Sequence, residues 1–222
     1  MNDLNLKLAA AKGILFDLDN TLYNGEKGVF QRINERINDF VREFTECKSE
    51  KVDALRRDYK DRYGTTLGGL MAHHSVDPDQ YLEYVHDVSV EELLKPDPVL
   101  AAFLRSIELP MAIFTNGSNQ HARRVLDALG VAPYFEGICD LADTKYLGKP
   151  HREAFEAASG LLDCSLAETV FVDDLLVNVK AGSELCSLSI HVNPWEDGAG
   201  DLHVEKVLDL VPIFSPMPWY QD

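Results

Sequence analysis

Cysteine is scarce here and shows no pairing pattern. The four present, Cys47, Cys139, Cys164 and Cys186, are widely separated, with no spacing of the zinc-binding or dithiol redox type. Cys139 and Cys186 lie in apolar surroundings and read as small buried hydrophobes. Cations are also in deficit: 21 Lys and Arg face 37 Asp and Glu, a formal net charge of -16 spread along the chain. Such a surface disfavours binding to a nucleic-acid backbone, which needs clustered cations. A small anionic substrate stays compatible, because a few local cations and a metal reverse the potential inside a pocket. No apolar run is long enough to span a bilayer, and Met1 to Lys12 lacks the continuous apolar core of a secretion signal. The expectation is a cytoplasmic protein in a reducing setting, partnering neither membrane nor nucleic acid, with its oligomeric state unspecified. Low-complexity tracts and fixed-period repeats are absent too, so the 222 residues have room for one domain with a sizeable insertion, or for two.

What is present begins with Gly13-Ile14-Leu15-Phe16, an apolar run that ends in Asp17-Leu18-Asp19-Asn20-Thr21-Leu22-Tyr23. After the turn residues Asn24-Gly25 the period changes. Val29, Phe30, Ile33, Ile37, Phe40, Val41 and Phe44 recur at three and four residues, one face of a helix. A second helix is expected over Glu50 to Tyr63, stopped by Gly64. Thr65 to His74 reads as a short helix or a loop, and Asp77-Pro78 opens another helix through Tyr81, Leu82 and Val85. Lys95-Pro96-Asp97-Pro98 interrupts helix continuity and reads as the return linker of a helical insertion.

Beyond Pro98, helices alternate with the apolar strands Met111–Phe114, a short one at Gly137–Cys139, Val170–Val172 and a final one at Leu188–Val192. Strands apolar throughout and separated by helices predict an α/β fold: a Rossmann-like parallel sheet with helices on both faces, carrying an inserted α-helical domain. The division expected is residues 1–23 and 96–222 for the core and 24–95 for the insertion.

Three of these strands end in polar residues: Asp17 and Asp19, then Thr115 and Asn116, then Asp173 and Asp174. Parallel strands bring such ends to one edge, where open α/β sheets hold their ligands. An Asx turn at Asp19 or Asn20 would account for the first end alone, not for all three. Crowded carboxylates call for a divalent, oxygen-liganded cation and leave one carboxylate for acid/base work. Lys149, between Gly148 and Pro150, is placed to offset that charge and hold a phosphate oxygen, against the common fate of a solvated lysine. Thr115 and the amides at Asn116 and Gly117 precede a helix and suit the same anion; N-capping by Ser118 or Asn119 is the plainer alternative.

These four stretches, in order, resemble the four motifs of the haloacid dehalogenase superfamily, mostly magnesium-dependent phosphohydrolases, with the helical insertion in the position of the family's first-type cap. The resemblance implies Asp17 as the nucleophile that forms an aspartyl-phosphate, and Asp19 as the acid that protonates the leaving oxygen and then the base that activates water. It implies Thr115 and Lys149 as phosphate-binding residues, and Mg²⁺ held by Asp17, the Asp19 main-chain carbonyl and Asp173, supported by Asp174, with Asn178 orienting that shell or facing solvent. Within the insertion, Tyr63-Gly64-Thr65-Thr66-Leu67 resembles the pyrimidine 5′-nucleotidase branch, as does Asp17 to Tyr23. Tyr23, Tyr63, Thr65 and Thr66 are the substrate-selecting candidates, with ordinary packing the plainer reading of both tyrosines. His73, His74 and His86 lack zinc spacing and read as satisfied or exposed side chains. The implied substrate is a small phosphorylated molecule, a nucleoside monophosphate by preference. A phosphatase for small sugar phosphates or phosphoglycolate, and a phosphate-binding module without turnover, stand as alternatives.

Overall fold

The computed structural model describes residues 3–193, 195, 198 and 200–214. Six parallel strands form its sheet: β1 (Gly13–Phe16), β2 (Met111–Phe114), β3 (Gly137–Cys139), β4 (Thr169–Asp173), β5 (Leu188–Val192) and β6 (Leu202–Val204), in the order β3-β2-β1-β4-β5-β6. Every residue of β1, β2, β4 and β5 is buried, which explains why those segments are apolar without alternation. The helices are α1 (Asp3–Ala10), α2 (Val29–Thr45), α3 (Ser49–Tyr63), α4 (Thr66–His74), α5 (Pro78–Val85), α6 (Val90–Leu93), α7 (Pro98–Ser106), α8 (Asn119–Leu129), α9 (Arg152–Ser159), α10 (Leu176–Leu185) and α11 (Val211–Phe214). The parallel sheet with covering helices is the fold expected from the alternation.

Two apolar clusters face the sheet from opposite sides. One joins Ile14, Phe16, Ile113, Val170 and Val172 to residues of α7 and α8; the other joins Leu15, Phe114 and Phe171 to Phe155 of α9. A third, around Phe40, Val41, Tyr59, Leu70 and Tyr81, holds α2 to α5 together. The two ends of the helical segment are rooted elsewhere: Val29 and Ile33 at its start, and Val88, Val90 and Leu94 at its finish, pack into the first sheet cluster. Asp97 then starts α7 by accepting from the amides of Val99 and Leu100.

Some elements are more definite than expected and others were not foreseen. Of the two readings of the segment after Gly64 the helix holds, as α4, because the Thr65 hydroxyl accepts from the Gly68 amide and caps it. The strand at Leu188–Val192 is followed by β6, which pairs Leu202 with Ile190. The short helices α1 and α6 carry no clear period of their own; Leu4 and Leu8 of α1 and Val90 of α6 are held by the first cluster. Trp195 is 63% exposed, as its loop setting suggests. The apolar residues after Pro212 suggest a tail packed on the core: Ile213 and Phe214 do pack against the first cluster, while Trp219 and Tyr220 lie outside the described residues.

Candidate active site

With β1 flanked by β2 and β4, chain order runs outward in both directions from the middle of the sheet. The crevice at the carboxyl ends of those three strands is where such sheets bind ligands. Asp17 follows β1 directly, its amide still donating to the Val172 carbonyl of β4 at 2.8 Å, so the side chain leaves the sheet at a fixed point. One Asp17 oxygen accepts from Thr21 Oγ1 at 2.8 Å and the other from Lys149 Nζ at 2.7 Å. The same ammonium donates to Asp173 at 2.7 Å and to the Phe114 carbonyl at 2.8 Å. Lys149 is therefore not a solvated surface lysine; it is 1% exposed and its three donors are all used.

The loop that delivers Lys149 is clamped. Asn116 accepts from the Lys149 amide at 2.7 Å and donates to the Lys149 carbonyl at 3.0 Å, which commits its side chain to the loop rather than to a ligand. Gly148 has φ +66, and a Cβ there would sit 2.7 Å from Asn116 Oδ1, so both conformation and space require glycine. Thr115 Oγ1 accepts from the Gly117 amide at 2.9 Å. Of the two amides that precede α8, at Asn116 and Gly117, the second is thus already engaged, while Ser118 accepts from the His121 amide at 3.3 Å and does the capping.

Asp173, Asp174 and Asp17 each present an oxygen within 4.8 Å of the others. Asp173 is fixed by the Leu175 amide at 2.8 Å and by Asn178 Nδ2 at 3.1 and 3.2 Å, so Asn178 is a buried positioning residue rather than a solvent-facing one. Asp174 accepts from Asn20 at 3.3 Å, and its main-chain carbonyl is held by Asn193 at 3.1 Å. One lysine among three carboxylates leaves excess negative charge. Burial, with the Asp17 and Asp173 charges added, pushes Asp174 up to about 9, and burial against the pull of Lys149 pushes Asp17 up to about 7. Burial alone would lower Lys149, but the two carboxylates outweigh it and hold the ammonium charged. An all-oxygen donor set with unneutralised charge fits a hard divalent cation.

Asp19 stands apart from this cluster and has its own partners. The Tyr23 hydroxyl donates to it at 2.5 Å and His121 Nε2 lies 2.9 and 3.1 Å from its two oxygens. Burial opposes its charge, yet His121 and Tyr23 together hold it below the usual carboxylate range. His86 stacks on His121 with ring centroids 4.6 Å apart, its Nδ1 proton directed at the Leu82 carbonyl 2.9 Å away. Burial, then the neighbouring His121, brings His86 down to about 3 from 6.5. Unfolding restores the ordinary value, so this histidine stabilises the fold above roughly pH 6.5 and that contribution fades as pH falls toward 3, by ~2 kcal/mol at pH 5. The melting temperature of the parent should lose roughly 5 °C relative to His86→Asn between about pH 7.5 and 5. A constant gap between the two would mean that His86 is solvated.

A cavity of about 570 Å³ connects these groups to the helical segment. Asp17, Asp19, Thr115, Lys149 and Asp174 line it from the sheet; Phe30, Ile33, Arg56, Thr66 and Leu82 line it from the helices. Thr65 also reaches it, although its hydroxyl caps α4. Tyr23 and Tyr63, expected to select substrate, are not among the lining residues: Tyr23 is turned to Asp19 and the Tyr63 hydroxyl is bonded to His73 at 2.7 Å. His121 and Arg56 were not legible as site residues among the helix patterns. Their signal was position: His121 stands one turn before the buried Val125, and Arg56 one turn beyond the buried Val52.

The chain is 29% identical over 189 residues to Phosphate metabolism protein 8 of Saccharomyces cerevisiae, matching 78% of this chain but spanning only 58% of that protein. It is 27% identical over 221 residues to the glyceraldehyde 3-phosphate phosphatase of Methanocaldococcus jannaschii, covering 91% of this chain and 96% of the relative. A HAD-hydrolase of Bacillus subtilis, YfnB, solved bound to magnesium, shares the fold with a TM-score of 0.62 at 18% identity, over 92% of this chain and 98% of that one. The family described as haloacid dehalogenase-like hydrolase matches residues 11–185, a span that begins just before β1, ends with α10 and includes every strand end described above; this chain belongs to that family.

Proposed function

We propose that this chain is a Mg²⁺-dependent phosphomonoesterase that works through an aspartyl-phosphate on Asp17 and prefers nucleoside 5′-monophosphates of the pyrimidine type. Residues 1–23 and 96–222 form the catalytic core and residues 24–95 the cap. The observation that carries the reading is the buried Lys149 bridging Asp17 and Asp173 at the floor of a cavity that also holds Asp19. A binding module has no use for a nucleophile paired with an independently positioned acid/base.

In the first half-reaction an Asp17 oxygen attacks phosphorus and the ester oxygen leaves with a proton from Asp19. His121 and Tyr23 favour the Asp19 carboxylate, but an incoming phosphoryl charge beside it favours the acid. In the second half, Asp19 removes a proton from the water that attacks the aspartyl-phosphate, freeing phosphate and restoring Asp17. Thr115 would donate to a phosphoryl oxygen, and Lys149, whose three donors are engaged by Asp17, Asp173 and the Phe114 carbonyl, would turn one of them from a carboxylate to the phosphoryl group. Asp17, Asp173 and Asp174, with the Asp19 carbonyl, would hold Mg²⁺, which would supply charge neutralisation at the phosphoryl group.

The 570 Å³ cavity with apolar walls suits a base-bearing leaving group better than a triose. A second reading, a small sugar phosphate, is favoured by the archaeal relative that carries the name glyceraldehyde 3-phosphate phosphatase. Phosphate release from UMP, CMP, dTMP, AMP, GMP and small sugar phosphates separates them. Activity is expected to vanish with EDTA, return with Mg²⁺, and favour pyrimidine nucleotides by about 10-fold or more in kcat/KM. Equal or greater turnover of sugar phosphates would remove the nucleotide preference while leaving the phosphatase standing.

A further inference from the structure

The two oxygens of Asp19 are loaded unequally. Oδ1 accepts from the Tyr23 hydroxyl at 2.5 Å and from His121 Nε2 at 2.9 Å. Oδ2 lies 3.1 Å from the same His121 nitrogen and, among the described residues, has no other partner. A carboxylate oxygen has room for about two hydrogen bonds, so Oδ1 is filled and Oδ2 keeps a free lone pair. Asp19 lines the cavity beside Asp17, and of its two oxygens only Oδ2 has capacity left for a ligand.

His121 makes this contact and no other with its ring nitrogens. It sits in the first turn of α8, 1% exposed, with Nε2 on Asp19 and Nδ1 without a hydrogen-bond partner. A carboxylate only accepts, so Nε2 is the nitrogen that carries the hydrogen. A buried nitrogen left unpaired is a cost, and an apolar side chain of similar volume would fill the same space without it. The ring is also braced. His86, at the end of α5, stacks on it with centroids 4.6 Å apart and planes 15° from parallel. His86 Nδ1 is anchored by the Leu82 carbonyl at 2.9 Å and Ser118 Oγ at 3.2 Å, and Ser118 accepts from the His121 amide at 3.3 Å. Ring and backbone of His121 are thereby fixed together.

We propose that His121 is the positioning residue of the acid/base step: its Nε2–H spans both Asp19 oxygens and, with Tyr23 on Oδ1, sets the carboxyl plane so that Oδ2 is the oxygen that carries the proton. As the bond from Asp17 to phosphorus forms and the bond from phosphorus to the ester oxygen breaks, Oδ2 passes its proton to that oxygen; in the second half it takes one from the attacking water. This deepens the phosphomonoesterase reading and rests on it for the roles of Asp17 and Asp19. A donor turned out of line loses most of the factor of about 10²–10⁴ that general acid catalysis supplies. An ester whose leaving oxygen is stable as an anion does not need that proton.

His121→Asn and His121→Gln form the decisive pair. Both are amides, but the asparagine nitrogen stops near the place of Nδ1 while that of glutamine reaches the place of Nε2. Single turnovers with enzyme in excess and Mg²⁺ saturating isolate the first transfer, read as uridine from UMP, or ribose from ribose 5-phosphate should the wild type prefer it, and as nitrophenolate from p-nitrophenyl phosphate. His121→Asn is expected to slow the alkyl ester by about 30-fold or more and the aryl ester by less than about 3-fold, with alkyl-ester affinity in an Asp17→Asn background changed by less than about 2-fold; His121→Gln is expected to return to within about 5-fold of the wild type on the alkyl ester. His121→Phe fills the ring's volume without the donor and takes the place of His121→Asn if that variant fails to fold. Equal slowing of both esters, no slowing of the alkyl ester, a change confined to affinity, or glutamine no better than asparagine would each overturn the inference. A wild type that turns over neither ester removes the phosphomonoesterase and this role with it, whereas turnover without the leaving-group split removes only the role of His121.

Discussion

Asp17→Asn is expected to fold, to melt within a few degrees of the parent, and to release phosphate at least about 10⁴-fold more slowly. The near-normal stability follows from the local charge balance. The amide keeps the shape of the carboxylate and an oxygen to accept from Thr21 or Lys149, while one negative charge leaves a site that holds more carboxylates than cations. The loss of rate follows from chemistry alone, because an amide at this position has no anionic oxygen to attack phosphorus. Asp19→Asn serves as the contrast: it keeps the attacking oxygen, so phosphoryl transfer to Asp17 survives for substrates with good leaving groups while breakdown of the phosphoenzyme stalls. Phosphate-release kinetics with an aryl phosphate and with UMP measure both. Residual Asp17→Asn turnover within about 100-fold of the parent would show that another group is the nucleophile.

Lys149→Met should be the most damaging single substitution to stability. The ammonium is 1% exposed and binds Asp17, Asp173 and the Phe114 carbonyl at once, so its removal strands two buried carboxylates and a buried carbonyl. Breaking a buried pair in this way costs about 3–5 kcal/mol, or roughly 10 °C in melting temperature for a chain of this size. The pair Asp17 and Asp173 also belongs to the carboxylate cluster that fits a divalent cation, so added Mg²⁺ is expected to narrow the deficit by replacing the lost positive charge. Activity should fall by about 10³-fold or more even with Mg²⁺ saturating, since the phosphoryl group loses a fixed cation. Calorimetric melting with and without Mg²⁺ is the measurement; a variant as stable as the parent would mean that Lys149 is solvated in solution.

The sheet and its polar strand ends were legible because a fully buried parallel strand must be apolar until it stops. Val170-Phe171-Val172 followed by two aspartates carries that meaning without any partner in view. Other features had no such local signature. β6 is three residues on an edge, only partly buried, and takes its form from pairing with β5. Asn116 reads as a ligand donor from its place after β2, yet its reach to Lys149 depends on a loop returning 33 residues later. Arg56 was hidden by its type: arginine on a polar helix reads as solvated, and only its register with Val52 and Tyr59 placed it inward. His121 was hidden likewise, its partner Asp19 lying 102 residues earlier in the chain.

The central place of β1 bears on how the molecule is made. Ile14 lies against Met111 on one side and Val170 on the other, so the first strand to be synthesised gains its neighbours only when later segments arrive. Until β4 has emerged, Asp17 has neither the Val172 carbonyl that fixes its backbone nor Asp173 across the lysine. Long-range pairing of this kind is slow to form and leaves apolar strand edges open meanwhile. The helical segment has a different history available to it: α2 to α5 contact one another within one continuous stretch of chain and can collapse while the sheet is still waiting for its middle to be enclosed.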